Sequence, residues 1–251
     1  MSPSDLTEDA FLGGRLRLRQ PRKGHRAGHD AMLLAAAAYA QAGERVVEFG
    51  AGVGAAGLAL ASRVGPVDLT LVDLDEQLVA LARENAALNG IECRAIVLDV
   101  TAKADAFLSA GLAPDSADRV LMNPPFNTPA RHQPSPDPGR RSAHEAMSSD
   151  AWVHAARRLL KPGGTLTLIW RADGLGDILA ALGRGFGAIA ILPVHPKSED
   201  AAIRLLVKAE KGSGAPLQLL AGLVLNDDGG APTAQADRVL RGEETLRLDG
   251  N

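Results

Sequence analysis

The chain has little cysteine, few aromatic residues and no long apolar run. Its one cysteine, Cys93, excludes an internal disulfide framework and suits a reducing compartment. Lying in a strand-like run, it reads as a buried, inert thiol. Aromatic residues make up only 3% of 251, so a Phe or Trp in an unusual place carries extra information. The most apolar early run, residues 31–38, is too short to cross a bilayer. The first residues, MSPSDLTEDAFLGG, lack the basic start and apolar centre of a secretory signal. A cytoplasmic protein with no membrane part is therefore expected. The histidines, at 25, 29, 132, 144, 154 and 195, follow no metal-ligand spacing, and no metal site is expected. Acidic residues are missing from residues 10–29, where Arg15, Arg17, Arg19, Arg22, Lys23 and Arg26 fall. Net charge is −3, so this is a local basic strip on a mildly acidic chain. It suits contact with nucleic acid, or an edge strand kept soluble by charge.

From residue 44 apolar runs alternate with amphipathic helical segments. Strands are expected at residues 45–49, 68–73, 93–98, 118–122, 165–170, 186–194 and 202–209. Helices are expected at 55–63, 76–89, 101–110, 150–160 and 174–182. Asn89-Gly90 closes the second helix as a C-cap. This order implies an α/β fold with a mostly parallel sheet covered on both faces. Residues 1–43 form a basic segment and first helix, residues 44–211 the main domain. Residues 212–251 form a tail with a short helix near 234–241, packed on the same domain. Residues 124–144 hold six of the fifteen prolines with Arg131, Arg140 and Arg141, and read as a long functional loop.

Two segments carry chemistry. The first strand runs into Glu48-Phe49-Gly50-Ala51-Gly52-Val53-Gly54, where backbone can approach a ligand at a helix N-terminus. Gly52 to Gly57 also matches the dinucleotide pattern G-x-G-x-x-G, a weak signal when alone. Asp73, ending the second strand, can accept hydrogen bonds from ribose hydroxyls. Asp99, ending the third, can reach an adenine amino group, and Asp75 reads mainly as a helix N-cap. Glu48 lies inside an apolar strand, where a carboxylate is costly without a cationic partner. The α-amino group of S-adenosylmethionine would be one, and NAD has none there, which favours the methyl donor.

The second segment is Asn123-Pro124-Pro125-Phe126, directly after Val120-Leu121-Met122. An Asn oxygen and a backbone carbonyl can accept both N–H bonds of an exocyclic amine and aim its lone pair. The prolines fix the turn and remove competing donors. Phe126 offers a face on which a flipped base can stack.

On these residues the chain resembles the class I S-adenosylmethionine-dependent methyltransferases that carry (Asn/Asp)-Pro-Pro-(Tyr/Phe). Within them it is most similar to the bacterial tRNA1(Val) adenine-37 N6-methyltransferase family, of the methyltransferase small domain type. The run from Phe11 to Leu16 and that from Gln20 to Ala35 resemble the N-terminal segment of that family. The resemblance implies a Rossmann-like seven-stranded sheet and S-adenosylmethionine as cofactor. It implies Gly28 and Asp30 beside the methionine part, Glu48, Gly50, Gly52 and Gly54 as the cofactor turn, and Asp73 and Asp99 as ribose and adenine contacts. Asn123 and Pro124 become the amine clamp, with Pro125 and Phe126 completing it. The substrate implied is an adenine in structured RNA, above all tRNA. Arg15, Arg17, Arg22, Lys23, Arg26, Arg131, Arg140 and Arg141 are the candidate RNA contacts. Phe in place of the commoner Tyr also occurs in relatives that methylate guanine N2 of ribosomal RNA. Guanine N2 and protein glutamine N5 therefore stay open as acceptors, beside an NAD-dependent oxidoreductase and a non-catalytic RNA-binding module.

Overall fold

Consecutive apolar residues mark the central strands because both faces of the sheet are covered. Val46 and Val47 of β3 (Arg45–Phe49) are both fully buried, one in each of two core clusters. The computed structural model describes residues 5–24, 26–125, 149–183 and 185–248. After β3 come α2 (Ala55–Val64), β4 (Asp68–Asp73), α3 (Glu76–Leu88), β5 (Arg94–Val97), α4 (Ala104–Ser109) and β6 (Ala117–Met122). Then follow α5 (Ser149–Leu159), β7 (Leu160–Arg171), α6 (Leu175–Leu182), β8 (Phe186–His195) and β9 (Arg204–Lys211). Ahead of β3 lie β1 (Leu6–Phe11), β2 (Leu16–Pro21) and α1 (His29–Ala37). The tail adds β10 (Gln218–Leu219), β11 (Leu223–Val224) and α7 (Ala234–Leu240).

Seven strands run in the order β8-β9-β7-β6-β3-β4-β5, and the two-residue strands β10 and β11 pair with the outer edge of β8. All pairings are parallel except those of β9, which is antiparallel to β7 and β8. This is the expected Rossmann-like class I methyltransferase fold. Chain order reverses between β3 and β6, whose ends are in register at Phe49 and Met122. A ligand crevice belongs at such a reversal, outside the carboxyl ends of the strands. One core cluster lies under α1, α2 and α3. The other lies under α4, α5 and α6. In the second, Phe49 meets Phe107 edge to face, with centroids 6.0 Å apart, a geometry worth about 1 kcal/mol beyond area burial.

The basic strip is a half-exposed edge strand, one of the two settings expected of it. It forms the second strand of an antiparallel hairpin, β1–β2, separate from the main sheet. No strand is expected at residues 6–11, where two acidic residues, Glu8 and Asp9, stand side by side before Ala10 and Phe11. Yet Glu8 stands opposite Arg19, and Asp9 opposite Leu18. Leu16 and Leu18 are buried and fix the hairpin to the core beside α2 and α3. Among the described residues no helix is long and apolar enough to cross a membrane.

Candidate functional site

The turn after β3 is a run of residues with distinct neighbours. A side chain at Gly50 would collide with the ring of Trp152, and one at Gly54 with Leu71 and Leu58. At Gly52 it would meet nothing within 4 Å, and φ is +55° there. Gly52 thus presents bare backbone to open space, in a conformation that L side chains rarely adopt. Its N–H donates to Asp73 Oδ2 at 2.7 Å, so the carboxylate ending β4 holds the turn. Asp73 Oδ1 accepts from the N–H of Asp75 at 2.9 Å. Asp75 caps α3 by accepting from Gln77 and Leu78. Beyond β5, Asp99 Oδ1 accepts from the N–H and the hydroxyl of Thr101, each at 2.7 Å. Carboxylates therefore follow both β4 and β5 at the edge where the turn lies.

Glu48 is only 3% exposed, and its carboxyl group finds a hydrogen-bond donor inside the chain. Its Oε2 accepts the Gly57 N–H at 2.7 Å, at the start of α2. A Cβ on Gly57 would stand 2.7 Å from that oxygen, so glycine is what lets α2 close on the carboxyl group. Burial pushes the Glu48 carboxyl up to about 8. The Gly57 N–H opposes this, and the charge of Asp73 adds to it. The inference from sequence that a buried carboxylate here requires a ligand's cation is thus weakened, since helix N–H groups already serve it.

Gly28 is the N-cap of α1 and, like Gly52, has open space where a side chain would stand. Asp30, in the first turn of α1, accepts from Arg204 Nε of β9 at 2.9 Å. This pair ties the helix start to the antiparallel strand.

On the other side of the reversal, Asn123 follows β6 half-buried, Pro124 is buried and Pro125 exposed. Among the described residues neither the Asn123 amide nor the Pro124 carbonyl has a hydrogen-bond partner. Both residues lie one strand away from the glycine turn. Phe126, Arg131, Arg140, Arg141 and the loop between them lie outside the described residues.

The candidate RNA contacts on the hairpin are mostly engaged by the chain. Arg17 pairs with Glu8 at 2.6 Å. Arg26 pairs with Asp9 at 2.6 Å and also donates to Thr7 and Pro21. Arg15 donates to the carbonyls of Leu12 and Arg241. Arg22 and Lys23, just beyond β2, are exposed. The strip looked unopposed because its carboxylates lie just ahead of it in sequence, on the paired strand.

Three residues near the site escaped sequence reasoning. Trp152 of α5 is 2% exposed, backs Gly50, and has no partner for Nε1 among the described residues. The scarcity of aromatics was the signal that could have found it. Asn85 and Gln20 are buried amides, Asn85 bonded to Val53, 32 residues away in sequence, and Gln20 to Ala27 across the turn that follows β2. Among the described residues no group of His, Cys, Asp or Glu could hold a metal ion.

The site suits S-adenosylmethionine on its own geometry. Open backbone at Gly52 and Gly28 leaves room for a ligand, and the carboxylates of Asp73 and Asp99, which accept from groups of the chain itself, lie at the same edge. Comparison with known proteins points the same way. The family model described as methyltransferase small domain matches residues 28–197. A tRNA1(Val) (adenine(37)-N6)-methyltransferase of Bacteroides thetaiotaomicron is 26% identical over 147 residues, 58% of this chain and 60% of that protein. The crystal structure of a predicted O-methyltransferase from Agrobacterium tumefaciens is 32% identical, with a TM-score of 0.72. That match covers 87% of this chain and 98% of the other. The T. thermophilus 16S rRNA N2 G1207 methyltransferase, in complex with AdoMet and guanosine, shares the fold. Its TM-score is 0.55 at 18% identity, over 82% of this chain and 50% of that one.

Proposed function

The chain belongs to the methyltransferase small domain family, with S-adenosylmethionine as its cofactor, and from that premise we propose that it methylates N6 of an adenine in tRNA. The observation that carries the reading is the placement of Asn123 and Pro124 directly after β6, at the reversal of strand order and one strand from the glycine turn. The Bacteroides relative, named for adenine 37 of tRNA1(Val), supports the choice of base and of RNA.

An exocyclic amine has two N–H bonds and a lone pair drawn into the ring. Asn123 Oδ1 accepts one N–H and the Pro124 carbonyl the other, which fixes the nitrogen and frees its lone pair to point out of the ring plane. A hydroxyl acceptor has one proton and would leave one of the two oxygens unused. Bound at the glycine turn, S-adenosylmethionine supplies a methyl group made electrophilic by its sulfonium. Holding the amine is then the main task, and the proton released goes to solvent. Gly52, Asp73 and Asp99 hold the cofactor, Gly50 and Gly54 give the turn its shape, and Gly28, Asp30 and Glu48 lie beside the cofactor's amino-acid end. Phe126 stacks on the extruded base. Arg22, Lys23 and the arginines at 131, 140 and 141 contact phosphate, which positions the RNA without reading its sequence.

The test is transfer of tritiated methyl groups to tRNA, ribosomal RNA and protein from a strain lacking the gene, followed by mass spectrometry of nucleosides and amino acids. N6-methyladenosine in tRNA is the expected product. Label appearing as N2-methylguanosine or N5-methylglutamine instead would overturn the choice of acceptor and leave the family intact.

A further inference from the structure

Two buried amides tie the N-terminal hairpin to both walls of the cofactor crevice. Asn85 of α3 is 0% exposed. Its Oδ1 accepts the Arg19 N–H at 2.8 Å, and its Nδ2 donates to the Arg19 carbonyl at 3.0 Å, as a neighbouring strand would. The same Nδ2 donates to the carbonyl of Val53 at 3.0 Å, between Gly52 and Gly54. The next residue of β2, Gln20, is 1% exposed. Its Nε2 donates to Asp9 Oδ2 at 2.9 Å, and its Oε1 accepts the Ala27 N–H at 2.7 Å, one residue before Gly28. Adjacent residues of one strand thus hold the glycine turn on one side and the start of α1 on the other.

We propose that Asn85 and Gln20 are positioning residues that fix the spacing between these two walls and so set affinity for the cofactor. The inference rests on reading Gly52 and Gly28 as cofactor-facing. Docking of β2 alone does not account for the arrangement. One turn further on, at the C-cap of α3, Asn89 makes the same pair of bonds to Arg17, at 2.9 and 2.7 Å, and among the described residues none to the glycine turn. Asn85 adds the link to Val53. Apolar side chains would fill either position without having to satisfy a buried amide.

The repeat at the end of α3 supplies its own control. S-adenosylhomocysteine binding to the full chain is measured by calorimetry, well below the melting temperature of each variant. Asn85→Ala is expected to raise Kd about tenfold, the loss of one buried hydrogen bond. Asn89→Ala, which removes the clasp on Arg17 and leaves the Asn85 clasp on Arg19 in place, lowers Tm and leaves Kd unchanged. Gln20→Leu keeps the packing, frees the Ala27 N–H and raises Kd, and it carries the test if Asn85→Ala does not fold. Equal effects of Asn85→Ala and Asn89→Ala on Kd, or no effect of Asn85→Ala or Gln20→Leu, would overturn the proposal. Asp73→Ala separates the two levels. If it weakens binding and Asn85→Ala does not, only the positioning role fails. If it leaves binding intact, the site assignment falls and the inference with it.

Discussion

Replacing Glu48 by Gln tests the electrostatics of the turn through stability alone. In the folded chain burial raises the carboxyl to about 8, against the usual value near 4.5 in the unfolded chain. The folded state therefore holds its proton more tightly than the unfolded state. By linkage, that stabilisation is complete below about 4.5 and is lost as pH rises towards 8. Over the two units from pH 5 to pH 7 the loss approaches the full linkage slope, about 2–3 kcal/mol for this one group. Glu48 is buried, so solvent screening does not reduce the figure appreciably. Burial is the main cause of the rise, and the charge of Asp73 adds to it. The amide introduced by Glu48→Gln would retain an oxygen for the Gly57 N–H, which Glu48 accepts at 2.7 Å, but would have nothing to titrate. Urea unfolding of the cofactor-free protein at pH 5, 6, 7 and 8 measures the difference. Wild type should lose about 2–3 kcal/mol more than Glu48→Gln between pH 5 and 7. Parallel curves for the two proteins would mean that Glu48 is ionised when folded, and the account of its burial would be wrong.

Asn123→Ala should lower the methyl-transfer rate by about a hundredfold, the loss of one well-aimed polar contact in the transition state. Its Kd for S-adenosylhomocysteine, measured by calorimetry, should not change. Gly57→Ala should destabilise the protein by about 1–3 kcal/mol in urea, because the new Cβ would stand 2.7 Å from both Glu48 Oε2 and Leu71 Cδ2. For tRNA, Lys23→Ala should reduce the slope of log affinity against log salt by about one, with sequence preference unchanged. An unchanged slope would remove Lys23 from the RNA contacts.

What could be read from the sequence was what is local along the chain. β3 and β4 have the expected bounds, because their apolar runs end at a glycine and at a carboxylate. The fold followed from strand–helix alternation. The hairpin was missed because β1 is stabilised by pairing with β2 and by the buried leucines of β2, and its own composition offers no signal. That omission also made the basic strip look unopposed, since Glu8 and Asp9 come into range only through the pairing. Asn85, Gln20 and Trp152 belong to the same class. Each is defined by a partner brought near by packing: Val53, Ala27 and Gly50.

The G-x-G-x-x-G match at Gly52 to Gly57 shows how one pattern can be built for a different ligand. In a dinucleotide site the second glycine is the point at which backbone approaches the pyrophosphate. Here that residue, Gly54, is buried, and a side chain on it would stand 2.9 Å from Leu71 and 3.1 Å from Leu58. It faces the core and offers no surface to a phosphate. The third glycine, Gly57, serves to close α2 over Glu48. Only Gly52 opens outward, with its N–H held by Asp73. One exposed backbone position flanked by acceptors suits a nucleoside carrying a cationic chain better than a pyrophosphate, which would meet carboxylates where it needs donors. The geometry of the turn thus argues against the oxidoreductase reading independently of the family match.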